Sequence, residues 1–197
     1  MRVIGLTGGI ACGKSVVSAM LRGLGVRVVD ADQVAREVVA SGSDVLRRLG
    51  ERFGPGILRP DGSLDRARLG QIVFHDPQAL ADLNGITHPV IRRRIEQLTK
   101  EARDQGVSLL VVEAPLLFEA GMDDMVDEVW VVTCTPQQQV ERLQRRDGLS
   151  REEAEARLRA QMSLEEKVRR AHRVIHNQGT LEETRRQVLA CLREEKP

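Results

Sequence analysis

The stretch Gly8-Gly9-Ile10-Ala11-Cys12-Gly13-Lys14-Ser15 fits the spacing G-x-x-x-x-G-K-[ST]. In that pattern glycines let backbone N–H groups approach phosphate oxygens with no Cβ in the way. The residues from Val16 onward read as a helix, and a helix N-terminus favours negative charge. Lys14 would reach the β- and γ-phosphates of a nucleotide, and the Ser15 hydroxyl would sit on Mg²⁺. The nucleotide-binding set is therefore Gly8, Gly9, Ile10, Ala11, Cys12, Gly13, Lys14, Ser15 and Val16, with Ser15 as the metal ligand.

Other residue patterns could act on the same ligand. Asp30 and Asp32 fall at the end of a short apolar run, and Arg36 lies one helical turn beyond Asp32 on the same face. A catalytic carboxylate and an N-terminal cap with an ordinary ion pair are even readings of Asp32. Thr87-His88-Pro89 places a histidine at a helix start with proline in the first position; taken alone, His88 reads as a capping or packing residue. Val107–Glu113 is an apolar run ending in an acid that could hold Mg²⁺ through water. Leu116, Leu117 and Phe118 then fall where a loop should be, as a ligand wall or as a helix start packed on the core. Arg142, Arg145 and Arg146, spaced i, i+3 and i+4, share one helical face. Beside a phosphate loop, such a face leading into a short helical pair reads as a lid over the phosphates.

These residues need a scaffold, and the hydrophobic spacing supplies one. Strands are expected at Arg2–Thr7, Val26–Asp30, Val107–Glu113, Glu128–Thr133 and Arg173–Asn177. Helices alternate with them: Val16–Leu24, with Gly25 as a left-handed cap, Ala31–Val39, Gln137–Arg146 and Leu181–Glu194. The last should bury Leu181, Thr184, Val188 and Leu192. Ser150-Arg151-Glu152-Glu153, Ser163-Leu164-Glu165-Glu166 and Thr180-Leu181-Glu182-Glu183 are capping boxes. Between the second and third strands, residues 41–106 lose all strand character and show helical patterns at Val45–Phe53, Leu64–Val73, Pro77–Gly85 and Pro89–Arg103. The fold class is thus a three-layer α/β domain on a five-stranded parallel sheet, with a helical insertion and a small helical lid. Its core is residues 1–40 and 107–197, the insertion 41–106 and the lid 142–163.

Composition narrows the partners. The chain of 197 residues is 30% charged, yet its net charge is only +1, which gives no case for a nucleic-acid or membrane partner. Aromatics are 2% of the chain, so the core must be aliphatic. Cys12, Cys134 and Cys191 are odd in number and widely spaced, which fits unpaired thiols in a reducing cytoplasm. Cys12 reads as a small residue filling the loop rather than as a point of redox control. No signal peptide or long apolar segment is found, so a soluble, unexported protein is expected.

A phosphate loop, an acid opposite it, an inserted acceptor domain and an arginine-bearing lid describe a small-molecule phosphotransferase. A nucleotide-driven switch of the GTPase kind is disfavoured. There is no N-K-x-D motif, and the D-x-x-G match Asp82-Leu83-Asn84-Gly85 lies in a helical stretch.

The sequence resembles the dephospho-CoA kinases, in the nucleoside-monophosphate-kinase-like group. The matching pieces are Gly5–Ile10, Gly13-Lys14-Ser15, Asp30-Ala31-Asp32, Arg36, Gly62–Arg66, Ile72-Val73-Phe74, His88–Ile91, Pro115–Glu119, Arg142–Asp147, Gln161 and Asn177. They follow the family's order over nearly the whole chain. The resemblance implies a P-loop NTPase fold and ATP-dependent phosphorylation of the ribose 3′-hydroxyl of dephospho-CoA. Asp32 matches the carboxylate that accepts the hydroxyl proton; Lys14, Arg142 and Arg145 join it as catalytic residues. Thr7, Asp32, Arg36, His88, Leu116, Leu117, Phe118 and Glu119 would hold the acceptor, and Asn177 marks the place of the ATP base. A monomer or weak homo-oligomer is expected. Two departures stand out: Ala11-Cys12 replaces the family's usual Gly-Ser, and Val16 replaces Thr. Another small kinase of this architecture, acting on a nucleoside monophosphate or a sugar, and a non-catalytic ATP-binding module remain as rivals.

Overall fold

A computed structural model of the chain describes residues 1–193; Glu194, expected in the last helix, lies outside the described residues. The strands are β1 (Arg2–Gly8), β2 (Arg27–Asp30), β3 (Leu109–Glu113), β4 (Glu128–Thr133) and β5 (Arg173–His176). They form one parallel sheet in the order β2-β3-β1-β4-β5. The three inner strands are the long apolar runs, and they are buried almost throughout. The edge strands β2 and β5 are shorter and half-buried, as a strand with one neighbour permits. The helices are α1 (Lys14–Gly23), α2 (Ala31–Glu37), α3 (Asp44–Phe53), α4 (Arg66–Phe74), α5 (Pro77–Asp104), α6 (Pro136–Asp147), α7 (Arg151–Arg159), α8 (Leu164–Arg169) and α9 (Leu181–Arg193).

The chain divides into two compact units, Asp30–Lys100 and the remainder. The helical unit thus takes in α2, which had been assigned to the core, and gives up the end of α5. In the sheet unit, Ile4, Leu6, Trp130, Val132 and Ile175 line one sheet face and pack on Val17 and Leu21 of α1 and Val188 of α9. Gly5 faces the other side, where an added Cβ would stand 2.8 Å from Leu117 Cδ1. Strand order reverses around β1: β2 and β3 lie to one side, β4 and β5 to the other. The crevice outside the carboxyl ends of β1 and β4 is therefore the place where such a sheet receives a ligand.

α1 closes as anticipated at Gly25 (φ +82°). The Gly25 N–H reaches the Arg22 carbonyl at 3.0 Å and the Val26 N–H the Leu21 carbonyl at 3.0 Å, a Schellman arrangement. Ser150 and Glu153 form a full capping box on α7, and Thr180 and Glu183 do so on α9. At α8 only half of the box forms: Ser163 accepts from the Glu166 N–H, but the Glu166 carboxylate turns to Arg169. Leu181 departs from expectation. It is 64% exposed, because it occupies the first helical position, beyond the part of α9 that Thr184 and Val188 seat against the sheet.

In the helical unit Val45, Leu46, Leu49, Leu69 and Val73 share a core of their own. α4 starts later than its spacing suggests, because Leu64 pairs with Leu58 in a bridge and Asp65 caps the helix by accepting from Arg68 N–H. The two helices expected at Pro77–Gly85 and Pro89–Arg103 are one helix, with Pro89 inside it. An interior proline costs about 3 kcal/mol. Ile91 and Ile95, just beyond it, are both buried, each worth about 1.5–3 kcal/mol, so packing carries the helix through.

Candidate active site

The loop between β1 and α1 is held by side chains from elsewhere in the sheet unit. Three consecutive carbonyls point outward: Ile10 O accepts from Gln139 Nε2 at 2.7 Å, Ala11 O from Arg142 Nη1 at 3.2 Å and Cys12 O from Asn177 Nδ2 at 2.9 Å. In a planar trans peptide the following N–H points the opposite way, so the N–H groups of Ala11 and Gly13 face the inside of the loop. The Cys12 N–H closes the turn on Gly9 O at 3.1 Å. Gly13 has φ +86°, and an added Cβ there would lie 2.0 Å from Asn177 Nδ2. Position 13 therefore needs glycine for both conformation and space. Ala11, one of the departures noted above, also takes a left-handed conformation, at φ +58°.

α1 begins with no side-chain cap and no acid in its first turn, whereas α2, α3, α4, α6, α7 and α8 each have a capping side chain. Its first N–H groups, those of Lys14 and Ser15, have no partner within the helix and carry the positive end of its dipole. Lys14 Nζ is held at 2.6 Å by Glu113 Oε1, at the end of β3. The other Glu113 oxygen accepts from Ser18 Oγ and lies 3.6 Å from Arg22. Glu113, read from sequence as a candidate metal acid, thus has both oxygens engaged and fixes the lysine beside the loop. Ser15 is exposed in the first turn of α1. That suits Mg²⁺, which takes few protein oxygens and completes its shell with phosphates and water.

A cavity of about 820 Å³ opens in the β1–β4 crevice, lined by Gly9, Ile10, Cys134, Gln139, Met162 and Gln178 among others. This is ample for a small-molecule ligand. α6 and α7 close over the loop: Val140, Leu143 and Ala154 form a small core against which Ile10, Ala11 and Leu158 pack. The three arginines of α6 do not act together as their spacing suggested. Arg142 is half-buried and spans Ala11 O and, at 2.9 Å, Asn177 O. Arg146 pairs with Asp147. Arg145 is exposed.

The segment after β3 also departs from the expected wall. Leu117 and Phe118 are buried, and only Leu116 (47% exposed) and Glu119 reach the surface. Leu117 fills the space above Gly5, and Phe118 lies under the Arg170 guanidinium, 4.3 Å from its ring centre. Thr7 is buried and donates to Pro115 O at 3.2 Å. Lys167, fully buried, donates to the same carbonyl at 2.8 Å and pairs with Glu119 at 2.9 Å. Asn177, expected beside the base, instead has its side chain committed to the loop: Nδ2 serves Cys12 O, and Oδ1 accepts from Thr184 Oγ1 at 3.0 Å. In the helical unit, Asp30 rather than Asp32 caps α2, accepting from the Asp32 and Gln33 N–H groups at 2.9 and 3.2 Å. The Asp32 carboxylate and Arg36 are exposed on the same helix. His88 is half-buried, and burial holds its pKa below the ordinary value of 6.5.

Sequence reading missed Gln139, Lys167 and Cys134. Gln139 stands three residues before Arg142, so a pair of polar residues on one face of α6 was the available sign. Lys167 gave none, because a lysine in a charged helix reads as solvated.

The family model for dephospho-CoA kinase matches residues 2–183. The chain belongs to the dephospho-CoA kinase family. It is 52% identical to the dephospho-CoA kinase of Symbiobacterium thermophilum over 98% of this chain and 81% of that one. With the dephospho-CoA kinase of Geobacter sulfurreducens it shares 53% identity over 95% of both chains. A solved dephospho-CoA kinase from Campylobacter jejuni superposes with a TM-score of 0.75 at 30% identity, covering 98% of this chain and 96% of that one. The loop, its braces and the Lys14–Glu113 pair are therefore features of a dephospho-CoA kinase family member.

Proposed function

We propose that this chain transfers the γ-phosphoryl group of ATP to the ribose 3′-hydroxyl of dephospho-CoA, giving CoA and ADP, the last step of CoA synthesis. The observation that carries this reading is the braced loop, whose carbonyls are drawn outward by Gln139, Arg142 and Asn177 while Lys14 stands beside it on Glu113. Phosphoryl transfer asks little covalent help of a protein; it needs in-line positioning and neutralised charge. The loop N–H groups and the start of α1 hold the phosphates, and Lys14 moves its charge from Glu113 onto the transferring group. Ser15 would hold Mg²⁺, which would supply positive charge to the phosphates. Arg142 braces the loop, and of the two exposed α6 arginines Arg145 would meet phosphate, since Arg146 is tied to Asp147.

Asp32 is the general base. Asp30 caps α2, and Asp32, the residue that matches the family's carboxylate, would orient the 3′-hydroxyl and take its proton. By family resemblance, Arg36 and His88 would serve the acceptor on the helical unit, and Thr7 and the Leu116–Glu119 segment on the sheet unit. In that segment Thr7 acts by fixing Pro115, and Leu117 and Phe118 by anchoring it to the core. The helical unit binds the CoA moiety, and residues 142–163 close over ATP. Free cysteines fit a cytoplasmic enzyme, and no helix among the described residues is long and apolar enough to cross a membrane. The working form is a monomer or weak homo-oligomer.

The test is ADP release with Mg-ATP and, in parallel, dephospho-CoA, AMP, adenosine or gluconate as acceptor. Turnover with dephospho-CoA alone, with CoA identified by mass, is the expected result. Turnover with another acceptor only would overturn the acceptor assignment. ATP binding with no turnover on any would favour a binding module.

A further inference from the structure

Cys12 and Cys134 come from opposite sides of the β1–β4 crevice, Cys12 on the phosphate loop and Cys134 just past the end of β4. Their sulfurs lie 3.2 Å apart. Both are unpaired thiols and both are buried. They differ in access: Cys134 lines the 820 Å³ cavity, while Cys12 is behind it with no exposed surface. We propose that this pair is a modification site: a small peroxide entering that cavity oxidises Cys134, Cys12 closes a disulfide onto it, and the displaced loop no longer binds nucleotide.

The steps balance. The Cys134 thiolate attacks one oxygen of hydrogen peroxide, the O–O bond breaks, and the departing hydroxide takes a proton to become water, leaving a sulfenic acid. Cys12 sulfur then attacks the Cys134 sulfur; the S–O bond breaks, and the hydroxide leaves as water with the Cys12 proton. In sum, two thiols and one peroxide give one disulfide and two waters. The surroundings assign the roles in this order. The contact with Cys12 and the nearby Arg142 guanidinium lower the Cys134 pKa against the opposing effect of its burial, whereas the contact with Cys134 and burial raise that of Cys12. The cavity-facing thiol is thus the one that ionises and reacts first.

The consequence follows from where the two sulfurs are anchored. A disulfide brings them about 1 Å closer than they now stand. Cys134 is attached to β4, in the interior of the sheet, so the loop must do the moving. Cys12 O is the acceptor for Asn177, and Gly13, next to it, has no room to shift toward that side chain. A displacement of this size in a positioning loop costs on the order of 100-fold. Nucleotide and disulfide favour different positions of the loop, so bound nucleotide opposes the cross-link. The proposal rests only on nucleotide binding by the loop, and a failed acceptor assignment leaves it standing.

The experiment treats nucleotide-free protein with hydrogen peroxide, blocks remaining thiols, maps peptides by mass and measures binding of a fluorescent ATP analogue. A Cys12–Cys134 cross-linked peptide is expected, with Cys191 still blocked as a thiol. Binding should be lost in proportion to the cross-linked fraction, dithiothreitol should restore it, and saturating Mg-ATP should slow the cross-link. Cys134→Ser, compared with its own untreated binding, should lose nothing on the same exposure. Oxidation of Cys134 without a cross-link would overturn the proposal. So would a cross-link that leaves binding intact, or equal loss of binding in Cys134→Ser. The mapping on the unmutated protein decides the matter even where that variant does not fold.

Discussion

Two residues with similar chemistry, Asp30 and Asp32, separate once their hydrogen bonds are counted. Asp30 satisfies two N–H groups of α2, so its replacement should act on stability. The Asp32 carboxylate accepts none of those N–H bonds, so its replacement should act on rate. Asp32→Asn is expected to lower kcat by about 10²–10⁴-fold, the usual worth of general-base catalysis, with ATP and acceptor KM little changed. Near-normal kcat in steady-state assays would remove Asp32 from the base role. Ala11 gives a second residue-scale prediction. Its φ of +58° carries a left-handed cost of about 1–2 kcal/mol for a residue with a Cβ, against about 0.4–1 kcal/mol lost to the freer unfolded chain on changing to glycine. Ala11→Gly should therefore stabilise the protein, and a higher denaturation midpoint at unchanged slope in urea is the result to look for.

At the scale of elements, the loop is shaped by what surrounds it. α6 contributes Gln139 and Arg142, and the β5–α9 junction contributes Asn177, whose other side is held by Thr184 of α9. Asn177→Ala removes a bond to Cys12 O and takes Asn177 Oδ1 from the buried Thr184 hydroxyl, which keeps its bond to Thr180 O. Losing such a bond in a buried site costs about 1–3 kcal/mol, which should appear as an ATP affinity weaker by about tenfold in a binding titration. An unchanged affinity would mean the loop keeps its form without this brace. The strands, the phosphate loop and the caps were legible because each rests on local residue types: apolar runs, glycines at fixed spacing, Ser or Thr three residues before Glu. The braces were not, because Gln139 and Asn177 meet the loop across 129 and 165 residues of chain. The same reason hid the Cys12–Cys134 contact, and for Leu117 and Phe118 it left a packed segment and a ligand wall both open. The unbroken α5 was misjudged for a different reason, since Pro89 is a local stop signal that tertiary burial of Ile91 and Ile95 overrides.

For the whole molecule, proton binding sums over groups and sets how stability responds to pH. His88 has its pKa lowered by burial from 6.5. Asp61 is lowered from 3.8 by hydrogen bonds from Ser63, Asp82 from 3.8 by Gln78 and Arg52, and Asp147 from 3.8 by Arg146. Glu166 is lowered from 4.5 by Arg169 and Glu183 from 4.5 by Thr180. In every case the unfolded chain binds the proton at higher pH than the folded one, so stability rises with pH and is lost as pH falls. Two windows are therefore expected. The first opens as pH drops below 6.5, from His88 alone among these groups. The second opens below 4.5, where the carboxylates follow together. Thermal denaturation across the range should show a plateau near neutrality, a shallow decline beginning near pH 6.5 and a steeper one in acid. His88→Gln, which cannot take a proton, should flatten the shallow decline and leave the acid limb in place. A decline near pH 6.5 that persists in that variant would assign the upper window to another group and show that burial of His88 is not felt in the stability of the molecule.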